Sequence, residues 1–181
     1  RHTRYISVTG VQTCALPISG SADWAWTDLH AGLDSTLNIV NNEIKYRAQV
    51  VREYGVLPPV ECLPLELNQV FMNLLVNAAQ AMGGERLGEI RIRTGCQADE
   101  VWVEIADNGC GIAPENLKRI FDPFFTTKPV GKGTGLGLAI SYGIVERHGG
   151  MLAASNHPDG GALFTLRVPL EPAHEPENPQ P

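Results

Sequence analysis

Two neighbouring segments, EIRIRTG at 89–95 and EVWVEIAD at 100–107, alternate apolar and polar residues along their length. This period of two predicts two half-buried strands, and the short polar turn between them predicts a hairpin. Such a hairpin has one apolar face, which other elements have to cover. The rest of the chain must therefore supply a layer on one side of a sheet.

Three segments have the patterns of helices that supply this layer, with predicted bounds near 28–42, 64–82 and 136–148. Asp28 is a suitable N-cap for the first, and Pro64 suits the first turn of the second. Each segment also has an apolar stripe at helical spacing, which marks the side that faces the core.

The remaining segments complete the sheet. Strands are predicted at 49–54, 151–156 and 162–170, and a short helix is predicted near 115–120. This order of elements predicts an α+β fold, specifically a two-layer α/β sandwich in which a mixed β-sheet is covered on one face by about three helices.

Length and charge limit the classes of function. The 181 residues suit one domain with tails, and the net charge of −6 argues against a nucleic-acid partner. No uncharged apolar run approaches the roughly 20 residues that a bilayer span needs. We expect no membrane contact by this fragment and a cytoplasmic location, whether or not the whole protein is anchored in a membrane. The four scattered cysteines predict reduced thiols and no zinc site.

The domain is predicted to occupy residues 21–170. Residues 1–20 resemble a translated sequencing adapter, and we expect them to be a non-native, disordered leader. Residues 171–181 are rich in proline and glutamate, which predicts a disordered tail.

The second predicted helix has an unusual polar face. Gln69, Asn73, Asn77 and Gln80 follow one another at intervals of four, four and three, so they share one side of the helix. No charged residue occurs from 67 to 82, whereas solvated faces rarely avoid charge for so long. A face of solvated neutral amides is the alternative. We predict that the row lines a polar cavity, where amide oxygens coordinate a cation such as Mg²⁺.

A second cluster, DNGCGI at 107–112, directly follows a predicted strand. Asp107 ends that strand, and Gly109 and Gly111 allow the backbone to approach a flat ligand. An ordinary β-turn is the alternative, because Asp-Asn-Gly is common in turns.

A third cluster, GKGTGLGL at 131–138, leads into the last predicted helix. Its glycines free successive N–H groups to face an anion beside the helix N-terminus, and Lys132 and the upstream Lys128 add positive charge. A flexible linker is the alternative. With the other two clusters, this predicts a site for a nucleotide with Mg²⁺, although neither the Rossmann nor the P-loop pattern is matched.

Five motifs, NLLVNA, DNGCGI, FDPFFTTKP, GTGLGL and GGALF, occur in this order. They resemble the N box, first glycine box, F box, second glycine box and last glycine box of bacterial sensor histidine kinases, in the nitrogen-regulation or PAS-linked branch. The resemblance covers about residues 26–170. It implies the ATP-binding catalytic domain of a two-component phosphorelay protein, with a Bergerat-type fold and with ATP and Mg²⁺ as cofactors. The implied reaction transfers the γ-phosphoryl group to a histidine on a dimerisation hairpin that is absent from this fragment.

The resemblance also implies roles for particular residues. Asn77 would be the magnesium ligand, Asp107 would bond the adenine amino group, and 121–134 would be a mobile ATP lid. The implied catalytic residues are Asn73, Lys128 and Lys132. The residues implied to contact the nucleotide are Asn73, Asn77, Gln80, Asp107, Gly109, Gly111, Ile112, Thr127, Lys132, Gly133, Thr134, Gly135, Leu136, Gly137 and Leu138.

The implied partners are the dimerisation and phosphoacceptor domain of the same protein and the receiver domain of a response regulator. The whole protein would be a homodimer and this fragment a monomer. Two features depart from the family pattern. Ala162 stands where Thr is frequent beside the adenine, and the phosphoacceptor motif is missing. The histidines at 30, 148, 157 and 174 are therefore interpreted as structural or solvent-exposed.

Three other functions remain as alternatives: an ATPase of the same superfamily, an anti-sigma serine kinase, and a nucleotide sensor without catalysis. The ATPases carry a glutamate one turn before the magnesium-binding asparagine. Asn73 occupies that position here and cannot act as a base, which favours transfer over hydrolysis.

Overall fold

Five strands form a mixed sheet that packs against three helices. The computed structural model describes residues 23–83, 87–128 and 133–172. The predicted leader, nearly all of the predicted tail and Lys132 lie outside these residues. In chain order the elements are β1 (Ala25–Thr27), α1 (Leu29–Ile44), β2 (Ala48–Tyr54), β3 (Val60–Cys62), α2 (Pro64–Ala81), β4 (Gly88–Gln97), β5 (Glu100–Asp107), α3 (Gly137–Arg147), β6 (Met151–Asn156) and β7 (Ala162–Pro169).

The strand order of the sheet is β2-β4-β5-β7-β6. β2 runs parallel to β4, and each other neighbouring pair is antiparallel. The predicted hairpin is confirmed, with Ile90 opposite Asp107 at one end and Gln97 opposite Glu100 at the other. The predicted sandwich of a mixed sheet and three helices is therefore confirmed.

The uncovered face of the sheet is lined by charged side chains. Arg91 lies 3.5 Å from Glu53, and Arg93 lies 3.3 Å from Glu104. Because these side chains are partly accessible to water, each pair contributes little to stability. The alternation along β4 and β5 thus separates a charged outer face from the apolar inner face.

The helices begin where the sequence predicted. Asp28 caps α1 by accepting hydrogen bonds from the N–H groups of His30 and Ala31, at 2.9 and 3.5 Å. Pro64 is the first residue of α2. The predicted bounds of the three helices are confirmed to within two residues. None of the helices in the described part of the chain is long and apolar enough to cross a bilayer.

The apolar side of α2 is central to the core. Val70, Phe71 and Leu75 are fully buried, with Leu74 nearly so. Burying a side chain of this size stabilises the fold by about 1.5–3 kcal/mol. This packing fixes the rotation of α2 about its axis. The amide row, on the opposite side of the helix, is therefore directed away from this part of the core.

A second small sheet was not predicted. β1 and β3 pair antiparallel beside the main sheet. Strands of three residues are too short to show a period in the sequence.

The prediction of a short helix near 115–120 is wrong. This segment forms successive turns, in which Asn116 donates to the carbonyl of Ala113 and Arg119 donates to the carbonyl of Asn116. So short a run gains too few hydrogen bonds to offset the cost of starting a helix.

His148 joins the end of α3 to the start of α2 and is 1% exposed. Its Nδ1 lies 2.7 Å from the carbonyl oxygen of Ile144, and its Nε2 accepts a hydrogen bond from the N–H of Leu63 at 3.0 Å. These partners require a neutral ring with its proton on Nδ1. Burial lowers the pKa of His148, as expected for a structural histidine.

The free energy of unfolding is expected to fall as the pH drops below about 6.5, the ordinary pKa of histidine. The unfolded chain then binds a proton at His148, whereas the folded chain resists it because its pKa is depressed. This stabilisation is present above that pH and is lost as the pH falls. Urea unfolding of the wild type and His148→Gln at about pH 7.5 and about pH 5.5 measures the effect.

The difference between the two chains isolates His148. Glu66 raises the pKa of His148 and Arg147 lowers it, and both residues are present in both chains. Burial raises the pKa of Asp107, which adds stability as the pH falls toward the acid range, but this contribution is also common to both chains. An equal pH dependence in the two chains would contradict the prediction.

Candidate functional site

The amide row of α2 faces α3 and the segment that follows Phe121. Asn73 donates from Nδ2 to the carbonyl oxygen of Gly137 at 3.0 Å and to Oγ of Ser141 at 3.1 Å. Ser141 is completely buried. Asn73 therefore fastens α2 to the first turn of α3, while Gln69, at the other end of the row, is exposed.

Asn77 and Gln80 converge on one positive charge. The Nζ of Lys128 donates to Oδ1 of Asn77 at 3.0 Å and also to Oε1 of Gln80. Burial lowers the pKa of the Lys128 ammonium. Amide oxygens of half-buried Asn77 and exposed Gln80 thus both contact one ammonium group. The predicted contact of this part of the row with Mg²⁺ stays a prediction.

Asp107 is the buried carboxylate of the site, at 6% exposure. Its Oδ1 accepts hydrogen bonds from the N–H of Gly109 at 2.8 Å and from the N–H of Ala162 at 3.3 Å. Burial raises the pKa of the Asp107 carboxyl, and the two N–H groups oppose that shift. The side chain is therefore fixed in direction at the end of β5, where it can accept a hydrogen bond from a ligand.

The glycines around Asp107 are required by contacts within the protein. At Gly109 a Cβ would lie 2.6 Å from the carbonyl oxygen of Ala81, at the end of α2. Gly111 has a φ of +71°, which favours glycine. At Gly161, also with positive φ, a Cβ would lie 1.9 Å from the carbonyl oxygen of Asp107. Close packing against α2 therefore requires glycine at 109, and the predicted approach of a flat ligand there stays a prediction.

Gly135, shortly before α3, packs against the backbone of Phe124 near the start of the predicted lid. Phe124 donates from its N–H to the carbonyl of Gly135 at 2.9 Å. Both residues have a φ of +66°, and a Cβ on Gly135 would lie 2.4 Å from the carbonyl carbon of Phe124. The two ends of the 121–134 segment are therefore held together. Within the described part of the chain, no side chain caps the N-terminus of α3, whose first residue is Gly137.

The other predicted residues occupy varied positions. Thr127 and Thr134 are exposed, while Leu138 packs against the core. Lys132 and Gly131 lie outside the described residues, so their predicted contacts stay predictions. Two residues that support the site were not predicted. Ser141 anchors Asn73, and Asn156 bonds the backbone of the 108–112 loop. The short motifs carry no signal for either, because each acts across a long separation in the chain.

Comparisons with known proteins agree with this arrangement. The profile of the family described as histidine kinase-, DNA gyrase B-, and HSP90-like ATPase matches residues 62–172. The signal transduction histidine-protein kinase AtoS of Escherichia coli K12 is 40% identical over 154 residues. The match covers 83% of this chain and 25% of AtoS, so the chain spans about a quarter of that relative.

Solved structures give the same result. The nucleotide-free catalytic domain of histidine kinase ThkA superposes with a TM-score of 0.75 at 31% identity, covering 83% of this chain and 97% of that one. Histidine kinase ThkA in complex with response regulator protein TrrA gives a TM-score of 0.68 at 25% identity, covering 82% of this chain and 42% of that one.

Proposed function

Because the chain belongs to the histidine kinase-, DNA gyrase B- and HSP90-like ATPases, as an ATP-binding catalytic domain of sensor histidine kinases, we propose that it transfers the γ-phosphoryl group of ATP to a histidine on a separate dimerisation hairpin. The observation that carries this proposal is the meeting of Asn77 and Gln80 on the Lys128 ammonium, between α2 and the lid segment. These contacts support a site for the positive charge of a metal-bound nucleotide beside α2.

We assign Asn77 as the protein ligand of Mg²⁺, with Gln80 beside it. The fit rests on their two amide oxygens, which already converge on a cation and are of the kind that Mg²⁺ accepts. When bound, the metal would neutralise charge on the phosphate oxygens. Lys128 would leave its amide partners when the nucleotide enters and would place its ammonium beside the γ-phosphoryl group.

Asp107 would hold the adenine end of the nucleotide. Its Oδ1 is fixed by two backbone N–H groups, so the carboxylate is oriented before the ligand arrives. We propose that it accepts a hydrogen bond from the adenine amino group. The phosphates would lie toward the glycines that precede α3, where the uncapped N–H groups of the helix favour negative charge.

Asn73 supports transfer over hydrolysis. A hydrolase needs a base beside the attacking water, and a carboxamide cannot accept that proton. Here the NH₂ group of Asn73 is also engaged by α3. In the proposed transfer, Nε2 of the acceptor histidine forms a bond to the γ-phosphorus while the bond to the bridging oxygen breaks, and ADP leaves. Positioning and neutralisation of charge supply most of the catalysis in such reactions.

Neither His30 in α1 nor His148 at the end of α3 is expected to be the histidine that accepts the phosphoryl group. His30 lies 2.8 Å from Oγ1 of Thr94 through Nε2, and its ring stacks on Tyr54 with centroids 4.4 Å apart. His148 is buried with both ring nitrogens bonded. Neither ring is therefore available as the nucleophile. We propose that the phosphohistidine then donates to the receiver domain of a response regulator, as the complex of ThkA with TrrA suggests. We further propose a cytoplasmic location, a homodimeric whole protein and a monomeric fragment.

Transfer is tested with γ-labelled ATP, Mg²⁺ and a separately produced phosphoacceptor hairpin from a related sensor kinase. We expect acid-labile, base-stable label on the hairpin and none on the chain alone, because neither His30 nor His148 is available as an acceptor. Calorimetry of the same chain should show binding of Mg²⁺-ATP. Acid-labile label on the chain alone would contradict the proposal. Release of inorganic phosphate at the same rate with and without the hairpin, and no label on the hairpin, would also contradict it.

A further inference from the structure

The loop 108–112 lies between Asp107 and the turns that lead to the lid. Its first half is bonded to neighbouring elements, since Asn108 donates to the carbonyl of Glu89 and Cys110 donates to the carbonyl of Ala81. These bonds, at 3.2 Å each, tie it to β4 and to the end of α2. The second half of the loop, at 111–112, is held by a side chain instead.

That support is Asn156, the last residue of β6. Its Oδ1 accepts a hydrogen bond from the N–H of Ile112 at 2.8 Å, and its Nδ2 donates to the carbonyl oxygen of Ile112 at 2.7 Å. One planar side chain therefore satisfies both backbone groups of a residue 44 positions away. A carboxamide presents a donor and an acceptor side by side, and glutamine would place them one methylene further out.

The contact between Asn156 and Ile112 also connects the loop to the ends of β6 and β7 that orient Asp107. Asn156 pairs with Ala162 in the β6–β7 register, and Ala162 donates its N–H to Asp107. Gly111 fits between these groups, since a Cβ there would lie 3.0 Å from Oδ1 of Asn156 and 3.4 Å from the carbonyl oxygen of Gly161. The carboxylate and the loop are thus held by one pair of strands.

We propose that Asn156 is a positioning residue for the adenine end of the nucleotide site, which it shapes by fixing Ile112 and the loop 108–112 against β6. This inference rests on the proposed function, because it assumes that the pocket beside Asp107 takes adenine. Asn156 contacts the loop and not the phosphate side formed by Asn77 and Lys128. Its loss therefore weakens all adenine nucleotides alike.

The test measures the dissociation constants of ATP, ADP and AMP by calorimetry for the wild type, Asn156→Ala and Asn156→Asp. Each hydrogen bond contributes up to about a tenfold change in an equilibrium, so we expect Asn156→Ala to weaken all three nucleotides by about tenfold. Asn156→Asp keeps the acceptor for the Ile112 N–H and places a second oxygen against the Ile112 carbonyl, so it should not restore binding. Amide exchange at Ile112 should become faster in both variants.

Val101→Ala is the control for a loss of stability alone. Val101 is fully buried near the start of β5, whereas Asp107 ends that strand. Its partners in the neighbouring strands are Cys96 and Val168. This variant should lower the unfolding temperature without changing the three dissociation constants. Equal affinity in the wild type and Asn156→Ala would overturn the inference, as would weakening confined to ATP or matched by Val101→Ala. Failure of the wild type to bind any nucleotide would instead refute the proposed function.

Discussion

Asn77→Ala is expected to abolish the magnesium dependence of ATP binding. Asn77 is half-buried on α2, and its Oδ1 holds the Lys128 ammonium in the free chain. Alanine removes the only atom that we assign as a direct ligand of the metal. We expect the affinity for Mg²⁺-ATP to fall by about 100-fold, which corresponds to ~2.8 kcal/mol at about 1.4 kcal/mol for each tenfold change.

Calorimetric titrations with ATP, in excess Mg²⁺ and in a chelator, measure this effect. Asn42→Ala is the matched control, because it removes a neutral carboxamide from the exposed side of α1. Asn77→Asp keeps an oxygen at the same position and should retain a response to Mg²⁺. A magnesium response of wild-type size in Asn77→Ala would remove Asn77 from the metal site.

Gly161→Ala is expected to destabilise the domain more than any other glycine replacement beside the site. A Cβ there would lie 1.9 Å from the carbonyl oxygen of Asp107 and 2.8 Å from Cα of Asn108. Both atoms are backbone, so neither can rotate away. The positive φ of +86° costs on the order of 1–2 kcal/mol for alanine, and the crowding adds about 1–3 kcal/mol. Displacement of Asp107 should also weaken ATP binding.

Gly160→Ala separates the two contributions. Gly160 has a similar φ of +99°, but a Cβ there would meet nothing within 4 Å. Denaturant unfolding should therefore show a loss of about 1–2 kcal/mol for Gly160→Ala and about 2–5 kcal/mol for Gly161→Ala. Equal losses in the two variants would show that the contact with Asp107 relaxes freely.

Much of the fold could be predicted from local signals in the sequence. The alternation in β4 and β5, the cap at Asp28 and the proline at Pro64 each act within a few residues, so the helices and the hairpin were found with nearly correct bounds. The segment at 113–123 was predicted to contain a short helix but forms turns, because so short a run gains too few hydrogen bonds to offset the cost of starting a helix. β1 and β3 have too few residues to show a pattern.

The site was predictable to the extent that its motifs are contiguous. The amide row, Asp107 and the glycines before α3 were each found, and the structure brings Asn77 and Gln80 to Lys128. The sequence could not show what each glycine contacts. Gly109 packs on Ala81, an approach that depends on where α2 ends relative to β5. Asn156 was missed for the same reason, since its partner is set by the sheet.

The parallel pairing of β2 with β4 has a consequence for synthesis of the protein. In the five-stranded sheet β2 has β4 as its one neighbour, and the chain between them contains α2. When synthesis has reached Ala81, every amide of the row has been made, yet β4, the strand beside which β2 will lie, has not. Such long-range pairing is slow to form. The amide row and Asp107, at the end of β5, can therefore reach their final positions relative to each other only after β4 and β5 have been made.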